Sequence, residues 1–182
     1  SVFIDKTGTL TIGKPVITDV IPIGSFSEIT LIQLTASAER YSEHPLAQAV
    51  LKKAETIGVS LLPSIAFSNI PGQGIHAEID RKQIAVLNAP TTTGSEAIRI
   101  SEQLRTEGKT LLFVQVDGKD AGILAAEDIL REDTIKAIQD LRGLGFGSIK
   151  LISGDHPAAA EKIANKLGID FEGGMSPEDK IQ

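Results

Sequence analysis

The residues with the clearest capacity for chemistry stand at the start of the chain. Asp5 closes the short apolar run Val2-Phe3-Ile4 and is followed at once by Lys6, Thr7, Gly8 and Thr9. A carboxylate, a cation and two hydroxyls in one tight turn are the parts of a phosphoryl-transfer site, with Asp5 as the nucleophile and an aspartyl phosphate as its product. Gly8 lets backbone N–H groups turn toward phosphate oxygens, and a divalent cation can neutralise charge shared by a carboxylate and an incoming phosphate. The same residues also suit a helix cap or an Asx-turn.

A second loop has related chemistry. The apolar run from Ile149 to Ile152 ends in Ser153-Gly154-Asp155-His156-Pro157, a hydroxyl and flexible backbone ahead of a helix start, where an anion is favoured. By itself this too reads as a cap. Between the loops lie Glu39, the run Ser42-Glu43-His44-Pro45-Leu46-Ala47, and Gly72-Gln73-Gly74. Taken singly these are a solvated helix charge, a helix-start residue before Pro45 at the first helical position, and hairpin glycines. A lone G-x-G is a weak nucleotide signal. His76 has no visible partner on its strand and reads as structural.

The elements that must position these residues follow from periodicity. Val2 to Ile4 reads as a buried strand feeding the Asp5 loop, and Val16 to Ile23 as another strand. Helix-length patterns cover Ser27 to Arg40, with Ser27 as a cap, and Pro45 to Ile57. Ile65 to Ile70, Ile75 to Ile79 and Gln83 to Leu87 are short strands joined by turn residues, as in antiparallel hairpins. A helix over Glu96 to Thr106 precedes a hairpin, Leu111 to Val116 and Ala121 to Ala126, across Asp117-Gly118-Lys119. The last third alternates: a helix (Glu132 to Leu144), a strand (Ile149 to Ile152), a helix (Ala158 to Leu167) and a strand (Ile169 to Phe171), the pattern of parallel βαβ units. The expected organisation is an α/β domain interrupted by a largely antiparallel insertion.

Composition narrows the function classes. With 182 residues the chain can build one domain or two small ones. Its formal charge of −6 disfavours a general nucleic-acid or anionic-membrane surface. It has no cysteine, so neither disulfides nor thiolate metal sites enter. No apolar run is long enough to span a bilayer, so the chain is expected to be soluble as it stands. Both ends read as cut: the first lies inside an apolar strand and the last follows a helix-start signal.

Asp5-Lys6-Thr7-Gly8-Thr9-Leu10-Thr11 matches without a gap the phosphorylation motif of P-type ATPases, members of the haloacid-dehalogenase-like superfamily, and the resemblance extends in motif order from Asp5 to Lys180. It implies that Asp5 is phosphorylated beside Lys6. It further implies that Asp5 and Thr7, the latter through its main-chain oxygen, ligate Mg²⁺, and that Thr9 contacts phosphate. Phosphatases of the superfamily carry a second Asp where this chain has Thr7, which favours a pump. Ser153-Gly154-Asp155-His156 is similar to the family's Thr-Gly-Asp-Asn, with Ser153 and Gly154 holding phosphoryl oxygens, Asp155 keeping the motif's acid, and His156 a departure. Pro177-Glu178-Asp179-Lys180 resembles the segment whose lysine, here Lys180, reaches the phosphate. Asp128-Ile129-Leu130-Arg131-Glu132-Asp133 resembles the family's hinge-side segment.

Ser42-Glu43-His44-Pro45-Leu46 is similar to a run found in the heavy-metal-transporting branch. There Glu39 and His44 would lie near the adenine, Gly72 and Gly74 would admit the nucleotide to the backbone, and Asn88 would be a polar contact. Leu87 stands where the family has glycine and adds bulk. The implied fold is a C-terminally truncated, Rossmann-like parallel-sheet domain (1–14 and 123–182) carrying an inserted α+β, mainly antiparallel nucleotide-binding domain (15–122). The implied protein is the ATP-binding cytoplasmic region of a heavy-metal cation pump. Its cofactors would be ATP and Mg²⁺, and its partners the membrane and actuator domains of the same pump. A further Mg²⁺-ligating motif of the family would lie beyond Gln182. The alternatives are a nucleotide-binding piece without turnover and a soluble phosphatase of the same superfamily.

Overall fold

The computed structural model describes residues 1–70, 72–90, 96–153 and 157–173. Strand β1 (Val2–Asp5) runs into a single wide helical turn, Lys6–Leu10, closed by the Thr11 N–H on the Lys6 carbonyl. The Asp5 loop is therefore a wound π-type turn, a rare geometry that is frequent at functional sites. Strand β2 (Thr11–Pro22) follows, longer at its start than the apolar pattern implied. Helix α1 (Glu28–Glu39) starts where Ser27 Oγ accepts from the Thr30 N–H, the expected cap. Helix α2 (Pro45–Thr56) opens with Pro45 at its first turn. Strands β3 (Ser64–Ile70), β4 (Gly74–Ile79) and β5 (Lys82–Leu87) form the expected hairpins. The β4–β5 turn places Asp80 and Arg81 both at positive φ, the geometry of a two-residue hairpin turn.

Helix α3 (Glu96–Thr106) is followed by β6 (Thr110–Val116) and β7 (Lys119–Leu130), joined through Asp117-Gly118 at φ 50° and 74°. Then come α4 (Thr134–Gly143), β8 (Ile149–Ser153), α5 (Pro157–Leu167) and β9 (Asp170–Gly173).

Two sheets result. One is parallel, in the order β1-β8-β9, with Asp5 beside Ile152 and Ser153 beside Gly173. The other has six strands in the order β2-β7-β6-β5-β4-β3, with antiparallel pairing from β3 to β7. The chain divides into two compact units. The first holds Ser1–Lys14, Arg105–Lys109 and everything from Asp128 onward; the second holds Pro15–Leu104 and Thr110–Glu127. Thus β2 and β7 each continue through a unit boundary.

In the first unit Leu10, Ile138, Ile149, Leu151, Ala160, Ala164 and Leu167 make an aliphatic core under the parallel sheet. In the second, the six-stranded sheet is buried on both faces. Ala77, Ile79, Ile84 and Val86 meet Leu31, Ile32 and Val50 of α1 and α2, while Ala85, Leu87, Phe113 and Ile123 meet Ala97 and Leu104 of α3. Alternate residues of one strand serve opposite cores, as the period of a strand requires. No helix among the described residues is long and apolar enough to cross a membrane.

Candidate functional site

The second unit gathers residues that are far apart in the chain. Glu39 ends α1, Ser42 and His44 lie in the link to α2, Gly72 is in the β3–β4 turn, Gly74 opens β4, and Asn88 follows β5. All of them line one cavity of about 240 Å³. Leu46, Ile70, Ile75, Val86 and Leu112 supply aliphatic walls, and Asn69 adds a further carboxamide. Aliphatic walls with several polar side chains converging between them give a small ligand both a surface to pack on and groups to hydrogen-bond.

Glu39 is held in an unusual protonation environment. It is 5% exposed, and burial pushes its carboxyl up to about 7, an effect opposed in part by a hydrogen bond from the Ser42 side chain. Its Oε2 is buried without a hydrogen-bond partner among the described residues. An unpaired buried carboxylate oxygen costs roughly 1–3 kcal/mol, a cost that either its own proton or a donor from a ligand in the cavity relieves. Ser42 also organises the link, since its Oγ accepts from the His44 N–H at 3.3 Å and its carbonyl from Gln48 Nε2 at 3.0 Å.

His44 has two tasks. Its Nδ1 accepts from the Leu46 N–H at 3.2 Å and so caps α2. That assigns the neutral ring's proton to Nε2, which makes the ring a donor.

The two glycines differ. At Gly74, with φ +138°, an added Cβ would lie 2.1 Å from the Val86 carbonyl oxygen, so strand pairing alone demands glycine there. At Gly72, with φ +77°, a Cβ would meet nothing within 4 Å. Gly72 lies in a left-handed turn with open space over its backbone.

Leu87 does not add bulk to the cavity. Alternation places its side chain in the core against α3, whereas its neighbour Val86 faces the cavity.

In the first unit Asp5 and Ser153 stand at the carboxyl ends of adjacent parallel strands, the edge where α/β sheets hold ligands. Lys6 and Ser153 are both buried, at 7% and 1% exposure, and Thr9 is exposed. Thr7 lies within the wide turn. Gly154, Asp155, His156 and Lys180 lie outside the described residues.

The turn is held by residues to which no site role was attached. Thr11 Oγ1 donates to Asp128 Oδ2 at 2.6 Å, with the Lys6 carbonyl at 3.1 Å, and accepts from the Gly8 N–H at 3.2 Å. The Gly8 N–H is therefore engaged inside the turn rather than turned toward a ligand. Arg131 Nη2 donates to the Gly8 carbonyl at 3.2 Å, and Thr134 Oγ1 to the Leu10 carbonyl at 2.8 Å. Thr11 was legible as part of the heptapeptide. Its partner Asp128, 117 residues away, was legible only as part of a similar segment.

The whole chain, residues 1–182, matches the family model of haloacid dehalogenase-like hydrolases. The chain belongs to that family. Within it, the chain is 34% identical over 178 residues to a zinc/cadmium/lead-transporting P-type ATPase of Escherichia coli (strain K12), covering 98% of its own length and 24% of the relative. It is 37% identical over 174 residues to a copper-exporting P-type ATPase of Bacillus subtilis (strain 168), covering 93% and 22%. The chain thus spans about a quarter of the length of these curated relatives. Its fold is similar to the crystal structure of a zinc-transporting PIB-type ATPase, with a TM-score of 0.83 at 34% identity over 100% of this chain and 30% of that one. It is also similar to the catalytic CPx-ATPase domain CopB-B, with a TM-score of 0.76 at 27% identity over 100% and 63%. The α/β architecture expected from the sequence is the one observed.

Proposed function

We propose that the chain is the ATP-binding cytoplasmic region of a heavy-metal cation-transporting P-type ATPase, in which ATP phosphorylates Asp5 to drive transport. One observation carries this reading. Glu39, His44, Gly72, Gly74 and Asn88, singled out on separate segments of the sequence, line a single cavity. Adenine complements that cavity. Its flat ring suits the aliphatic walls, its amino group supplies the donor that Glu39 Oε2 lacks, and its ring nitrogens can accept from the His44 Nε2–H. The open backbone at Gly72 leaves room for close approach.

In the proposed reaction a carboxylate oxygen of Asp5 attacks the γ-phosphorus in line. The bond to the β–γ bridging oxygen breaks, and ADP leaves as the aspartyl phosphate forms. Lys6 and Ser153 offset the charge on the phosphoryl oxygens. Among the described residues no group of three or more His, Cys, Asp or Glu could cage a metal. The donors at hand, the Asp5 carboxylate and the Thr7 main-chain oxygen, fit a cation such as Mg²⁺ that takes its other oxygens from phosphate and water. When bound, Mg²⁺ would supply charge neutralisation. Relatives named for zinc, cadmium, lead, copper, silver and manganese support a heavy-metal cation as cargo without selecting one.

Calorimetric titration of ATP into the chain tests the binding claim. Both His44→Ala and His44→Asn are expected to weaken ATP by roughly tenfold or more, because each removes the ring. Only His44→Ala should also lose about 1 kcal/mol of stability, because asparagine preserves a cap for α2. Unchanged affinity in both variants would remove His44 from the site.

A further inference from the structure

We propose that Asn69 is a specificity-determining residue of the cavity, its carboxamide pairing with the amino group and N7 of adenine; this rests on the adenine-nucleotide reading above. The placement of Asn69 is the work of an irregularity in β3. Ser64 and Ile65 face Ile79 and Glu78 of β4, but Ser68, Asn69 and Ile70 face His76, Ile75 and Gly74. Two residues of β3, Ala66 and Phe67, therefore oppose the single residue Ala77, which is a β-bulge. Ala66 takes the left-handed conformation that accommodates it, at φ 53°.

Residues opposite one another in a sheet share a face, and successive residues alternate. Ile75, Ala77 and Ile79 are buried, and Ala77 and Ile79 pack in the core with α1 and α2. Had the register of Ser64 and Ile65 continued, Asn69 would fall on the opposite face. The extra residue puts it on the face of Ile75, toward the helices that carry Glu39 and His44, where it lines the cavity. The same shift brings Phe67 onto that face, edge-on to the Tyr41 ring at 5.8 Å.

The carboxamide is exposed, and among the described residues it makes no hydrogen bond. A carboxamide offers an acceptor and a donor side by side, which is the complement of an adenine N6–H and N7. Glu39 Oε2 can take the other N6–H, so the two residues together would read an amino group where guanine has a carbonyl oxygen.

Calorimetry with ATP and 7-deaza-ATP, which lacks the N7 acceptor, tests this on the chain and on Asn69→Ala. In the unaltered chain 7-deaza-ATP is expected to bind roughly tenfold more weakly than ATP. Asn69→Ala is expected to bind both ligands alike, at the level of the weaker one. If 7-deaza-ATP binds the unaltered chain as tightly as ATP, or suffers the same penalty in both proteins, the Asn69 assignment is overturned while the nucleotide reading stands. If the unaltered chain binds no ATP at all, both are overturned.

Discussion

At the scale of single residues, Glu39 ties the uptake of a proton to stability. Its carboxyl sits at about 7 in the folded chain against an ordinary value of 4.5, chiefly because burial disfavours the charge. Below pH 4.5 both folded and unfolded chains hold the proton. Between 4.5 and 7 only the folded chain holds it, so stability falls as pH rises through that window. The loss is on the order of 3 kcal/mol at most. Chemical denaturation from pH 4.5 to 8 is expected to show this decline, and Glu39→Gln to lack it. A profile of Glu39→Gln as steep as that of the parent would show that another group titrates. Apart from the family resemblance that sets it near the adenine, Glu39 reads in the sequence as a solvated helix charge, because its burial depends on Ser42 and on the walls of the cavity, contributed by strands as remote as β6. His44 was legible as a helix-start residue, but the commitment of its Nδ1 to the cap, which fixes the donor edge of the ring, required coordinates.

At the scale of elements, β3 shows how a strand can be legible while its consequence is not. The run from Ile65 to Ile70 reads as a strand, and it is one. The bulge inside it has no compositional mark, because Ala66 holds a left-handed conformation for which glycine or asparagine is the usual signal. That conformation is strained for alanine. Ala66→Gly is therefore expected to stabilise the chain by about 0.5–1 kcal/mol after the extra freedom of glycine in the unfolded state is deducted. Denaturant midpoints compare the two directly, and a lower midpoint for the glycine variant would mean that the strain is not there. The bulk at Leu87 illustrates the converse. The position was legible as a departure from the family pattern, yet strand alternation, not residue size, decides what Leu87 meets.

At the scale of the molecule, the change from parallel to antiparallel character was readable because helices alternate with strands in one region and hairpin turns join strands in the other. The chain passes between its compact units within strands as well as within other elements. Neither Lys14/Pro15 nor Glu127/Asp128 lies in a loop, since β2 and β7 run on through them. The second unit contains both of its aliphatic cores and all five residues expected at the nucleotide. A chain of residues 15–127 is therefore expected to unfold cooperatively and to bind ATP within about twofold of the full chain, since its cavity is lined from within. Circular dichroism and calorimetry check both parts. A folded 15–127 chain that binds ATP tenfold more weakly would mean that the cavity described here is incomplete as a binding site.

Gly72 and Gly74, separated by one residue, are held to glycine by different things. At Gly74 any side chain would strike the backbone of β5, so a lineage that lost all use for nucleotide would still be held to glycine there. At Gly72 no neighbour objects, and a residue tolerant of the left-handed turn, such as asparagine, could drift in once the ligand ceased to matter. Of the pair, only the first glycine would keep a record of the ligand proposed for the cavity.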